Sequence, residues 1–245
     1  MVLRIGAVIQ ARTGSTRLPG KIHAPISGFP LLGWCVERLG RAATIDRVVV
    51  ATSVMPADDA VEAMGHELGF AVFRGSEDDV LERFHGAVAA HGFDHVVRVC
   101  GDSPFVDPSL VDDLVRVYLA AGVDYASNIG ARSYPRGLDC EVFSARRLAE
   151  GEQRATAAYE RAHVTPYFYQ NPEIFSVLSV PGQTDYSHHR WCVDEAIDLA
   201  FMRALVDRLD GRRDFHWSEA LALVEADAEL AAMNAAVEQK KLESG

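Results

Sequence analysis

The sequence predicts an α/β fold: a parallel sheet with helices packed on both faces. Three observations carry this expectation. Short apolar runs of strand length recur at residues 5–9, 47–51, 70–73 and 95–99. Each is followed by a stretch whose apolar residues fall at helical spacing. Gly and Pro punctuate the joins, as at Gly69 and Pro108. Strand and helix alternating at this interval is the pattern of parallel strands joined by helical crossovers.

Taken in order, residues 5–9 (IGAVI) are apolar throughout, as a strand buried on both faces requires. A loop containing Gly and Pro follows. Residues 31–43 then show helical spacing through Leu32, Cys35, Val36 and Leu39. The second strand falls at 47–51, and a helix at 57–68 turns Ala60, Val61, Met64 and Leu68 inward, with Gly69 as its stop. A third strand is expected at 70–73, a helix at 78–91 and a fourth strand at 95–99. Pro108 opens a helix through about residue 120, with Asp107 as its N-cap.

The second half is less regular. Strands are expected at 125–128, 139–143 and 174–180, and a helix at 154–169 ended by Asn171-Pro172. The stretch from about 130 to 189 reads as an insert within a single domain spanning 1–245. After it come a strand at 190–193, a helix at 195–209 with Ile197, Phe201, Ala204 and Leu205 on one face, and short helices at 217–225 and 227–240. Residues 242–245 are expected to carry no part of the fold.

Composition narrows the function. The 245 residues hold 24 basic against 35 acidic side chains, a formal net charge of −11. So acidic a chain suits neither duplex nucleic acid nor an anionic membrane, both of which reward a basic surface. No apolar run approaches the roughly 18 residues of a spanning helix, and no charged-then-apolar leader pattern is present. A soluble, cytoplasmic protein is the expectation. Cys35, Cys100, Cys140 and Cys192 are widely separated and read as reduced thiols. His91 and His95 have a metal-like spacing, but Gly92 and Phe93 between them mark a helix end running into a strand. The adjacent His188 and His189 read as a solvated loop feature.

Against this background the first loop stands out. Residues 10–21 (QARTGSTRLPGK) follow the first strand, where ligands bind in open α/β sheets. Gly14 and Gly20 let the backbone approach a ligand, Ser15 and Thr16 add hydroxyl donors, and Arg12, Arg17 and Lys21 supply three cations. No acidic residue precedes Glu37. This local reversal of sign points to a phosphate-rich ligand. The loop is not a Walker A motif, because five residues separate Gly14 from Gly20 and Ile22 stands where that motif places Ser or Thr. Two carboxylates complete the constellation. Asp102 follows the fourth strand and Asp194 the strand expected at 190–193. On their own they read equally as an Asx turn and a helix N-cap. Together, facing a cationic loop, they suit Mg²⁺-assisted chemistry on a nucleoside triphosphate.

The run at 10–21 resembles the signature loop of the cytidylyltransferases that make CMP-activated sugar acids, most nearly the branch that includes spore coat polysaccharide biosynthesis protein F. The likeness continues through VATS (50–53), RGSEDDVL (74–81), GDSP (101–104), GLDCEVF (137–143), ERAHVTPY (160–167) and RWCVD (190–194), in family order over nearly the whole chain. It implies a Rossmann-like nucleotide-diphospho-sugar-transferase (GT-A type) fold, a mixed, mostly parallel sheet with helices on both faces and an inserted β-arm that often makes a homodimer. The implied reaction joins CTP and a small acidic acceptor into a CMP conjugate and pyrophosphate, for polysaccharide or surface glycan biosynthesis.

By the same resemblance, Ala11, Arg12, Gly14 and Ser15 would lie along the nucleotide, and Arg17 and Lys21 on its β- and γ-phosphates. Arg74 and Ser76 would line the nucleoside pocket, with Thr52 or Ser53 near the base. Asp102 and Asp194 would hold Mg²⁺, and Arg136, Glu141, His163 and Arg190 would face the acceptor. Aromatic residues in the insert (Tyr134, Tyr167, Phe168, Tyr169, Phe175, Tyr186) exceed what a small arm buries alone, which favours a dimer contact. Other readings stay open: a phosphonate acceptor, a glycosyltransferase of the same fold, or a non-catalytic nucleotide-binding homologue. A glycosyltransferase normally carries a D-x-D motif, and the nearest string, Asp210 to Asp214, lacks that spacing.

Overall fold

A computed structural model describes residues 3–239. The chain opens with β1 (Ile5–Gln10), the cationic loop, a 3₁₀ turn at Lys21–His23, and a small antiparallel pair, β2 (Pro25–Ile26) with β3 (Phe29–Pro30). It continues through α1 (Leu31–Leu39), β4 (Arg47–Ser53), α2 (Asp59–Leu68), β5 (Ala71–Gly75), α3 (Val80–His91), β6 (His95–Cys100) and α4 (Pro108–Ala121). Gly69 ends α2 in the left-handed conformation, and Asp107 caps α4 by accepting from Ser109 N, both as the sequence predicts. Then come β7 (Tyr125–Ser127), β8 (Glu141–Ser144), α5 (Ala145–Arg154), α6 (Ala158–His163), α7 (Pro166–Tyr169), β9 (Val177–Ser179), α8 (Ala196–Arg208), α9 (Trp217–Ala226) and α10 (Ala228–Ala232). The last element falls short of the helix expected at 227–240. Residue 240 and residues 242–245 lie outside the described residues.

One seven-stranded sheet, in the order β5-β4-β1-β6-β8-β7-β9, organises the molecule. β5, β4, β1 and β6 are mutually parallel, so their carboxyl ends share one edge. β8 runs antiparallel to both β6 and β7, and β9 is parallel to β7. Apolar cores lie on both faces. One joins Trp34, Phe105, Trp191 and Phe201 from α1, α8 and the loops between; the other joins Leu81, Phe84, Phe143 and Phe168 beneath α3, α5 and α7.

Two expectations about the second half change. The apolar run at 190–193 is buried but forms no strand. Only an isolated bridge between Arg136 and Arg190 remains, and Val193 N donates instead to the Asp102 carbonyl at 2.9 Å. The implied β-arm is not a separate hairpin: β8 and β9 are laid into the main sheet, and α5, α6 and α7 supply most of the rest. Two of the aromatics expected at a dimer contact are buried inside the chain instead, and two others pack on one of its own rings. Phe168 and Phe175 are fully buried against Tyr125, Phe143 and Tyr167, while Tyr134 and Tyr186 pack edge-on against Trp217, all within one chain.

Candidate active site

At the carboxyl ends of β1 and β6 lies a cavity of about 550 Å³, bordered by the cationic loop, the start of α3, the end of α6 and Asp194. Gly101 makes it possible. A Cβ there would lie 2.8 Å from the Ala11 Cβ and 2.9 Å from the Gln10 carbonyl, so only glycine lets the two strand ends close together. Gly20, at φ 71°, turns the loop so that Lys21 points back across it.

Lys21 is the hub. Its ammonium lies 3.1 Å from Asp102 Oδ2, 3.0 Å from Asp194 Oδ1 and 2.6 Å from the Val193 carbonyl. Burial works to deprotonate Lys21, but Asp102 and Asp194 outweigh it and raise its pKa above the ordinary lysine value. The other Asp194 oxygen meets Arg17 at 2.8 Å and Arg190 at 2.6 Å. Burial disfavours the Asp194 anion, yet Lys21, then Arg17 and Arg190, hold its pKa below the usual carboxylate value. Asp194 does not cap α8. The fully buried Asp198 accepts the backbone N–H groups of Asp194 and Glu195, each at 3.0 Å.

The rest of the loop is anchored from below. Asp58 accepts from Thr13 N at 2.7 Å and from both the amide and the hydroxyl of Ser53. Burial opposes the Asp58 charge, but these hydrogen bonds prevail and lower its pKa. Ser53 therefore supports the loop from beneath. Cys100 also borders the cavity; burial pushes its thiol up to about 12, which keeps it protonated and unsuited to nucleophilic attack.

Of the residues singled out in the sequence, Ala11, Arg12, Gly14, Ser15, Arg17, Lys21, Asp102, Asp194 and His163 border this cavity. Thr52 and Ser53 lie buried beneath it instead. Arg74 is turned away: it ties β4 to α2 through Asp59 at 2.7 Å, Glu62 at 2.9 Å and the Ser53 carbonyl at 3.0 Å. Ser76 shapes the start of α3, its hydroxyl accepting from Asp79 N at 3.1 Å.

The four residues expected to face the acceptor divide. His163 reaches the cavity. Arg136 pairs its backbone with His189 and Trp191. Glu141 is buried with Arg98 and Tyr125. Arg190 is buried between Asp194 and Asp198, where it supports the carboxylate. Sequence reasoning missed Arg83, an α3 side chain that borders the cavity while its Nη1 donates to the carbonyls of Ser76 and Glu77. Only its membership of the RGSEDDVL segment's helix distinguished it from a solvated cation.

Hard oxygen donors, a carboxylate pair and adjacent cations fit a site for phosphates and Mg²⁺, which characteristically takes one or two carboxylates plus substrate oxygens. Among the described residues no group of three or more His, Cys, Asp or Glu forms a protein-only metal cage. Fold and cavity together define a nucleotidyltransferase. Residues 6–238 match the family described as cytidylyltransferase, and the chain belongs to that family. It is 35% identical over 231 residues to the spore coat polysaccharide biosynthesis protein SpsF of Bacillus subtilis, covering 91% of this chain and 95% of that protein. It is 33% identical over 170 residues to 3-deoxy-manno-octulosonate cytidylyltransferase of Synechococcus elongatus, covering 68% and 67%. A solved cytidylyltransferase of Leptospira borgpetersenii superposes with a TM-score of 0.91 at 30% identity, covering 97% of this chain and all of that one. No helix among the described residues is long and apolar enough to cross a membrane.

Proposed function

We propose that the protein transfers CMP from CTP to a sugar acid, releasing pyrophosphate, as a step in building a surface polysaccharide. The observation that carries this is Lys21 held between Asp102 and Asp194, with Arg17 beside them, in one cavity at the sheet edge. The likeness to a 3-deoxy-manno-octulosonate cytidylyltransferase supports the acceptor class, and the likeness to SpsF supports the polysaccharide context.

In this reading an acceptor hydroxyl oxygen forms a bond to the α-phosphorus and gives up its proton to water as the bond from that phosphorus to the β-phosphate oxygen breaks. Lys21 and Arg17 bind the β- and γ-phosphates and offset the charge that grows on the departing pyrophosphate. Arg12 and the hydroxyls of Ser15 and Thr16 hold the nucleotide in line, which lowers the entropic part of the barrier. Asp102 and Asp194 would hold Mg²⁺, which when bound neutralises phosphate charge. Arg190 and Asp198 fix the Asp194 carboxylate for that task. Incubation with CTP, Mg²⁺ and 3-deoxy-manno-octulosonate, alongside a panel of other sugar acids, tests the reading. Pyrophosphate and a CMP conjugate in equal amounts support it; neither product with any acid refutes it.

A further inference from the structure

Gln10 ends β1 and borders the cavity, yet the sequence pattern gives it no role. Its side-chain oxygen Oε1 accepts from both Nε (3.1 Å) and Nη2 (2.8 Å) of Arg98 on β6. Arg98 is held in turn, because its Nη1 donates to Glu141 Oε2 and the other Glu141 oxygen accepts from the Tyr125 hydroxyl at 2.6 Å. Arg98, Glu141 and Tyr125 are all buried. Two guanidinium donors on one oxygen determine which way the amide faces. The oxygen points at Arg98, and the NH₂ points away from it. Within the described residues that NH₂ donates to no protein acceptor.

A buried ion pair is weak evidence of stabilisation, since removing two charges from water offsets most of their attraction. Here the pair has a geometric consequence. Glu141 cancels the charge of Arg98, so what borders the cavity is a neutral, fixed amide whose oxygen is taken by Arg98 and whose two N–H donors are not. Such a group recognises an oxygen with free lone pairs, most strongly an anionic one.

Building on the transfer reaction proposed above, we infer that Gln10 is a substrate-binding residue whose amide donates to an anionic oxygen at the reacting centre, with Arg98, Glu141 and Tyr125 as the positioning residues that aim it. Two groups supply that chemistry: a non-bridging α-phosphate oxygen of the nucleotide, or the carboxylate of the acceptor.

Gln10→Glu and Gln10→Met test it. The first keeps a partner for Arg98, so the fold is retained, but presents a carboxylate oxygen where the donors were. The second removes the donors without adding charge. The expected result is a kcat/KM about ten- to a hundred-fold lower, as for loss of hydrogen bonds to a charged group, with Gln10→Glu the more severe. Equilibrium binding of CMP and of cytidine separates the two sources. If the α-phosphate is the partner, CMP loses affinity while cytidine does not. If the acceptor carboxylate is the partner, both nucleotide affinities hold and the loss appears in the KM for the acid. Wild-type kcat/KM together with a wild-type CMP-to-cytidine affinity ratio in Gln10→Glu overturns the inference. Should the wild-type protein transfer CMP to no acid, the transfer reading fails separately, and an unchanged CMP-to-cytidine ratio by itself overturns the role of Gln10.

Discussion

Replacing Lys21 with methionine removes the ammonium while keeping most of the side-chain volume. Breaking one side of a buried ion pair typically costs about 3–5 kcal/mol. Here the surroundings reduce that figure. Asp194 keeps Arg17 at 2.8 Å and Arg190 at 2.6 Å, and Asp102 retains 28% exposure to water. What remains is the loss of charge-assisted bonds to Asp102, Asp194 and the Val193 carbonyl, at least about 1.5–3 kcal/mol in net terms. A domain of this size loses about 2–4 °C of melting temperature per kcal/mol, so a fall of about 3–12 °C is expected. The deficit should shrink in millimolar Mg²⁺, because a divalent cation on the freed carboxylates stabilises the folded state by mass action. Activity should fall about 10²- to 10³-fold, the size of a lost charge-stabilising donor at a reacting centre. CTP affinity should fall more than CMP affinity, since the missing charge faces phosphates that CMP lacks. Thermal melts with and without Mg²⁺, with calorimetric titration of both nucleotides, read these effects. Equal losses for CTP and CMP would refute the placement of Lys21 on the leaving group.

The other expectations separate site from scaffold. Asp102→Asn and Asp194→Asn should each lower pyrophosphate release by orders of magnitude. Only Asp194→Asn should also lower the melting temperature, because it strips the anionic partner of Arg17, Lys21 and Arg190; normal turnover in both variants would exclude the carboxylate pair. Asp194, held below its ordinary 3.8, contributes stability that is present above that value and lost as pH falls through the lowered one. The acid limb of a melting-temperature profile should therefore flatten in Asp194→Asn, and an unchanged limb would count against the ion-pair cluster. Gly137, at φ 104°, has the Trp191 carbonyl where a Cβ would go, so Gly137→Ala should cost about 2–4 kcal/mol in urea unfolding. A wild-type urea midpoint would show that the segment yields more easily than its contacts imply.

The parallel half of the sheet was legible because its signal is local: β1, β4, β5 and β6 are apolar runs closed by helices with clear stops. In the insert only the strands β8 and β9 were legible; its helices were not, for reasons their residues make plain. α5 buries only Leu148 and Gly151, so a helix rich in Arg and Glu shows no apolar face to read. The single helix expected at 154–169 is broken at Ala155, extended as the C-cap of α5, and at Val164, which takes φ 72°. The run at 190–193 is as apolar as a strand, but its backbone pairs with the loop at Asp102 and with Arg136 rather than with a neighbouring strand. Within the site, the loop and both carboxylates declared themselves by charge and spacing. Arg74 did not, since pairing with Asp59 and Glu62 is a property of how α2 packs beside β5. Gln10 owes its part to Arg98, 88 residues away, and no local pattern records a contact of that kind.

The most direct test of the account offers the wild-type protein each of the four ribonucleoside triphosphates with Mg²⁺ and 3-deoxy-manno-octulosonate, among other sugar acids. Pyrophosphate is followed continuously and the products are identified by mass. The account predicts pyrophosphate and a CMP–acid conjugate in one-to-one yield from CTP, little from the other three, and the loss of both products in Lys21→Met. Release at equal rates from all four triphosphates, or pyrophosphate without any CMP–acid conjugate, would contradict it.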